Sequence, residues 1–144
     1  MQPTPKLRAV STYGTCMEPY IKAGEFFLVE EGRQPEYRGQ LVAVEMNGEL
    51  KLHRWMGEKG TKADRMKYYD AELSPTKLIG TVKQRITKSG PQAFFRPLHA
   101  LQFQLNQRNC QGNYLQKIYV MLLIVTGYLT KALERSGKST ERLK

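Results

Sequence analysis

Two alternating runs, Leu41–Met46 and Glu49–Trp55, are separated by Asn47 and Gly48, and this pattern leaves the middle of the chain little choice. A two-residue hairpin turn of type I′ needs positive φ at both central residues, which Asn and Gly tolerate best, so the segment is a β-hairpin. Side chains alternate along a strand. On the second arm Leu50, Leu52 and Arg54 therefore share one face, while Lys51, His53 and Trp55 share the other. His53 is held on a rigid strand rather than a loop. Further strand signals surround the hairpin at residues 7–13, 26–30, 61–69 and 78–86, spaced by Gly and Pro turns. Several short strands at this spacing predict an antiparallel all-β barrel or sandwich, with Ser89, Gly90 and Pro91 as its boundary.

Beyond that boundary the pattern changes. Residues 98–110 can form a short amphipathic helix with Leu98, Leu101 and Leu105 on one side, and residues 114–135 read as a second helix with an apolar centre at 118–129. The twelve residues of that centre rise about 18 Å, short of a bilayer core. Burial on the domain or against a partner protein is the expected role of residues 114–135, with contact to a membrane as the alternative. At 144 residues the chain has room for one domain and an appendage. Its net charge of +10 is uneven, with 15 Lys/Arg against 11 Asp/Glu in residues 1–88 and 8 against 2 in residues 89–144. No basic stripe carries interleaved aromatics, so no nucleic acid partner is expected. Cys16 and Cys110 are expected to be free thiols. With no apolar leader in the first residues, they point to a reducing, cytoplasmic location. His99 and Cys110 have no partners at metal-ligand spacing and no Gly-rich phosphate loop is present, so neither a metal nor a cofactor is expected.

The chemistry is concentrated in three short segments. Gly14, Thr15, Cys16, Met17, Glu18 and Pro19 form a strand-end turn that presents the Cys16 side chain, followed by Ile21, Gly24 and Glu25. His53-Arg54-Trp55 and Thr61-Lys62-Ala63-Asp64 come later, with Asp70 six residues further on. The first segment resembles the nucleophile motif of the signal peptidase and LexA-type superfamily, S-M-x-P followed by I-x-x-G-D, with Cys16 at the Ser position. The second is similar to H-R-V, and the third to T-K-G-D, of the endoplasmic-reticulum and archaeal type of signal peptidase. In that branch a His replaces the Lys base. The resemblance covers residues 7 to 87.

The resemblance implies a signal-peptidase/LexA-like antiparallel β-barrel over residues 1–88 and a C-terminal helical extension over 89–144. It implies an endopeptidase whose partner is a peptide or protein substrate bound in extended form. Cys16 takes the nucleophile's place, His53 the general base's, and either Asp70 or Asp64 orients the imidazole. The Cys16 amide would serve the oxyanion, Met17 would line the pocket for the residue before the cut, and Gly14 stands where many relatives carry a supporting Ser. A thiol needs less activation than a hydroxyl, so Cys16 beside a histidine is chemically competent. The alternative is a peptide-binding module of the same fold without turnover, because a larger sulfur in a site shaped for oxygen misplaces the attack.

Overall fold

Chain direction reverses at Asn47 (φ 52°) and Gly48 (φ 77°), as the hairpin requires, in a computed structural model that describes residues 4–109 and 114–143. The described residues form β1 (Lys6–Ser11), β2 (Phe26–Glu31), β3 (Leu41–Met46), β4 (Glu49–Trp55), β5 (Thr61–Lys62), a one-turn α1 (Asp70–Leu73), β6 (Thr76–Thr87), β7 (Gly90–Gln92), α2 (Arg96–Asn109) and α3 (Tyr114–Leu143). The protein is mainly β. Its seven strands make one antiparallel sheet in the order β1-β2-β6-β3-β4-β5, with β7 added to β6. Across the hairpin Val42 faces His53 and Leu41 faces Arg54.

The sheet does not close into a barrel, which corrects the expected architecture. The twelve-residue β6 lies between β2 and β3, with an irregular register on both sides, and such bulges increase the local twist. Closure fails because β5 is only two residues long and pairs with Arg54 and Trp55 alone. The strand expected over 61–69 stops there because Lys62 and Asp64 are buried and hydrogen-bonded to other elements. Among the described residues, the stretch of β4 from Glu49 to His53 therefore has no strand on its outer side, and β1 pairs only with β2.

Side-chain alternation sorts the core onto two faces. Val10, Met17, Tyr20, Phe27 and Leu52 belong to the larger cluster, while Val42, Val44 and Met46 pack with Trp55 and Leu78 in a second. The helices cover the sheet in an unexpected way. Leu105 is buried as predicted, but Leu101 is 43% exposed, and the face that α2 turns inward carries His99, Gln102, Asn106 and Asn109, all at 0% exposure. The cause lies beneath them: the sheet side presents buried Arg54, Lys62 and Asp64, and buried charges must be hydrogen-bonded. Arg54 donates through Nε to Asp64 (2.6 Å), through Nη1 to the Gly39 carbonyl (2.9 Å), and through Nη2 to Gln102. Asn106 accepts from Lys62 (2.6 Å) and donates to Asp64 (2.8 Å). The helix sits so close that a Cβ on Gly39 (φ +89°) would lie 2.4 Å from the His99 carbonyl oxygen.

This network has a direction. A guanidinium only donates, so Arg54 Nη1 gives a hydrogen bond to His99 Nδ1 (3.1 Å) and the imidazole proton resides on Nε2. Nε2 donates to the Tyr20 hydroxyl (3.0 Å), which donates to Glu134 of α3 (2.8 Å). Burial pushes His99 below the ordinary imidazole value, and the neighbouring Arg54 charge adds to this against the opposing pull of Glu134. A division after residue 88 would fall in the turn between β6 and β7, and the helices beyond it hold the partners of the sheet's buried charges.

Two outcomes follow from this packing. A chain ending at Ser89 leaves Arg54, Lys62 and Asp64 without α2, and breaking buried pairs costs about 3–5 kcal/mol each. It should aggregate or show no cooperative thermal transition by circular dichroism. In the intact chain His99 stays neutral in the fold while its unfolded counterpart takes up a proton. Stability is therefore complete above the ordinary imidazole value of 6.5 and declines as pH falls through it. Urea unfolding from about pH 7.5 to about pH 5.5 should show this slope, and His99→Gln should flatten it.

Candidate active site

The turn after β1 is fastened at both ends. The Thr12 amide donates to the Glu25 carbonyl and the Gly24 amide to the Thr12 carbonyl, closing residues 12–25 into a loop on the sheet. Inside it the Glu18 amide donates to the Thr15 carbonyl (3.1 Å) and the Ile21 amide to the Met17 carbonyl (2.9 Å). Cys16 is left half-buried, as a free cysteine, packed against the larger core cluster. Cys110 lies outside the described residues. Gly14 holds φ +79°, where side chains are strained, and projects nothing into the site.

A second loop braces the turn from beneath. The Arg65 amide donates to the Cys16 carbonyl (2.9 Å), and the Asp64 amide donates to the Met17 sulfur (3.2 Å). Asp64 thus serves the turn through its backbone and Arg54 through its carboxylate. Asn109 of α2 completes the brace by donating to the Asp64 carbonyl (3.2 Å).

The other acid stands elsewhere. Asp70, at the start of α1, is 1% exposed and accepts from His53 Nδ1 at 2.6 Å and from the Thr61 hydroxyl at 2.6 Å, both on the same carboxylate oxygen. With Nδ1 donating to Asp70, Nε2 is the ring nitrogen free to take a proton. Burial alone would raise the Asp70 carboxyl. The hydrogen bond and charge of His53, the Thr61 hydroxyl and the Lys62 charge together outweigh burial and hold it below the usual value. Of the two acids that the sequence leaves open, the structure places Asp70 against His53 and Asp64 against Arg54. The sequence patterns do not single out Thr61 or the α2 amides. Thr61 is the first residue of the T-K-A-D segment and was readable there, whereas a polar helix face reads as solvated.

Cys16 and His53 line the same cavity, of about 530 Å³, with Met17 and Gly14 also on its wall. One side is β1 and the turn after it, including Val10 and Tyr13, and the other is residues 49–53 of β4. The cavity is the gap left where the sheet fails to close, between two strand edges without neighbours. Asp64 and Asp70 stand outside its lining. Among the described residues no group of His, Cys, Asp and Glu is placed to hold a metal ion. Compared with protein-family models, with curated proteins and with solved structures, the chain matches none.

The depressed Asp70 value has a sign that can be checked. The carboxylate's contribution to stability is complete above the ordinary carboxylate range and is lost as pH falls through its lowered value. Thermal melts should show a midpoint that drops between about pH 5 and about pH 2.5, and Asp70→Asn should reduce the drop by lowering stability mainly at the upper end.

Proposed function

We propose that the protein is an endopeptidase of the signal peptidase-like superfamily, built on a signal-peptidase/LexA-like variant of the open antiparallel sheet. Its substrate is a peptide held in extended conformation. The observation that carries this reading is that His53, paired to Asp70 behind it, lines the same cavity as Cys16, with the imidazole oriented so that its basic nitrogen is the one away from Asp70. Cys16 is the nucleophile. Its thiol proton passes to His53 Nε2 as sulfur bonds to the scissile carbonyl carbon, and the carbonyl oxygen becomes an oxyanion beside the Cys16 amide. Collapse expels the amine, which takes the proton from His53. Water, deprotonated by the same nitrogen, then hydrolyses the thioester and frees the thiol. Asp70 holds the tautomer throughout.

The open edges of β1 and β4 support the substrate's shape. An extended peptide laid in the gap would pair with unpartnered backbone on both sides, and the apolar wall of Val10, Met17 and Leu52 would receive its side chains. Gly14 and the sulfur of Cys16 favour a second reading, a module that binds such a peptide without cutting it, since Gly14 offers no hydroxyl to an oxyanion.

Mass spectrometry of peptide pools incubated with the protein separates the two readings. Cleavage should disappear in Cys16→Ala and fall about a thousandfold or more in Asp70→Asn, assayed well below that variant's melting temperature. Asp64→Asn should chiefly lower the melting temperature. A protein that binds peptides as tightly as Cys16→Ala does and releases no fragments is the module. Loss of cleavage in Asp64→Asn at unchanged stability would move the orienting role to that acid.

A further inference from the structure

The helix α3 is turned inside out. Its buried positions are Leu123, Thr126, Gly127, Thr130, Lys131 and Glu134, a face of small and polar residues with one large apolar side chain among them. Lys131 reaches Glu25 (2.7 Å), and Glu134 receives Tyr20 and lies near Arg85. At about 100° per residue the opposite face carries Ile118, Met121, Leu122, Val125, Tyr128 and Leu129, exposed by 42% to 66%. An amphipathic helix normally buries its bulky stripe and exposes its charges. Here the docked face is the polar one, so the apolar stripe is an outward-facing surface of the folded protein.

We infer that this face lies in the interfacial layer of an anionic membrane, with α3 parallel to the bilayer plane. Among the described residues no helix is long and apolar enough to cross a membrane. The opposite face of α3 cannot enter hydrocarbon, because Glu134 and Lys131 are paired to the domain. A helix fixed to protein along one side and apolar along the other fits at the boundary between headgroups and acyl chains. Charge selects the lipid. Residues 89–144 hold 8 Lys/Arg against 2 Asp/Glu, and Lys117 and Arg135 share one margin of the stripe. That balance suits an anionic surface. It opposes a second copy of the chain: antiparallel pairing centred at the level of residue 126 would bring Lys117 level with the partner's Arg135. The acid within 114–135, Glu134, is buried on the other side.

Sedimentation of the full chain with vesicles tests the inference. The protein should pellet with phosphatidylcholine vesicles that contain one-quarter phosphatidylglycerol, and about tenfold less with phosphatidylcholine alone at low salt. Met121→Glu with Val125→Glu should abolish binding, and Lys117→Glu should weaken it severalfold. These positions are exposed, so the circular dichroism melt should not move. No pelleting with either vesicle at low salt overturns the inference, as does binding that the double variant retains. So does a dimer in light scattering that the double variant converts to monomer while vesicles stay unbound, because the occupant is then a second copy.

Discussion

One guanidinium ties the structure together. Arg54 is wholly buried, and its donors go to Asp64, to Gly39, to His99 and to Gln102. Through Asp64 it fixes the loop whose amides hold the Cys16 turn. Through His99 it reaches Tyr20 and Glu134, and so both helices. A buried cation is costly unless its partners are all in place, so the sheet, the turn and α2 must assemble together or not at all. The Tyr20 ring lies beneath both Arg54 and Arg85, at 5.3 Å and 4.9 Å from its centroid, so the same side chain also packs the two cations.

Local signals were legible and distant ones were not. The hairpin appears with both its strand limits because Asn47 and Gly48 determine the turn, and β2 and β6 fall close to the expected runs. The open sheet is not readable from sequence because nothing local distinguishes Thr61–Lys62 from the start of a longer strand. What ends it is tertiary: Lys62 and Asp64 turn toward α2. The helices mislead for a related reason. Amphipathic reading assumes that apolar residues face the protein, and here buried Arg54, Lys62 and Asp64 recruit amides from α2 while Glu134 and Lys131 recruit partners from the sheet side.

The candidate site shows the same division. The chain contains two aspartates, Asp64 and Asp70, and both stand within reach of the residues that carry the resemblance. Spacing alone left them as rivals. In three dimensions they separate cleanly, because His53 and Arg54 are consecutive on β4 and each takes one acid. Asp64 secures the backbone under Cys16 and Asp70 sets the tautomer of His53. Gly127 adds a contact from the far side, where a Cβ would meet the Pro19 ring at 3.2 Å, so α3 rests directly against the same turn.

The alternation of β4 makes the hairpin turn an indexing device. His53 and Arg54 differ by one step along the strand and point to opposite sides of the sheet. An insertion of one residue between Met46 and Glu49 that slipped the strand by one place would exchange their destinations. The imidazole would enter the buried network and the guanidinium would face the cavity, with no change in composition. Which side chain lines the cavity with Cys16 is therefore a matter of parity. It is decided by two exposed residues at the end of the hairpin opposite Arg54.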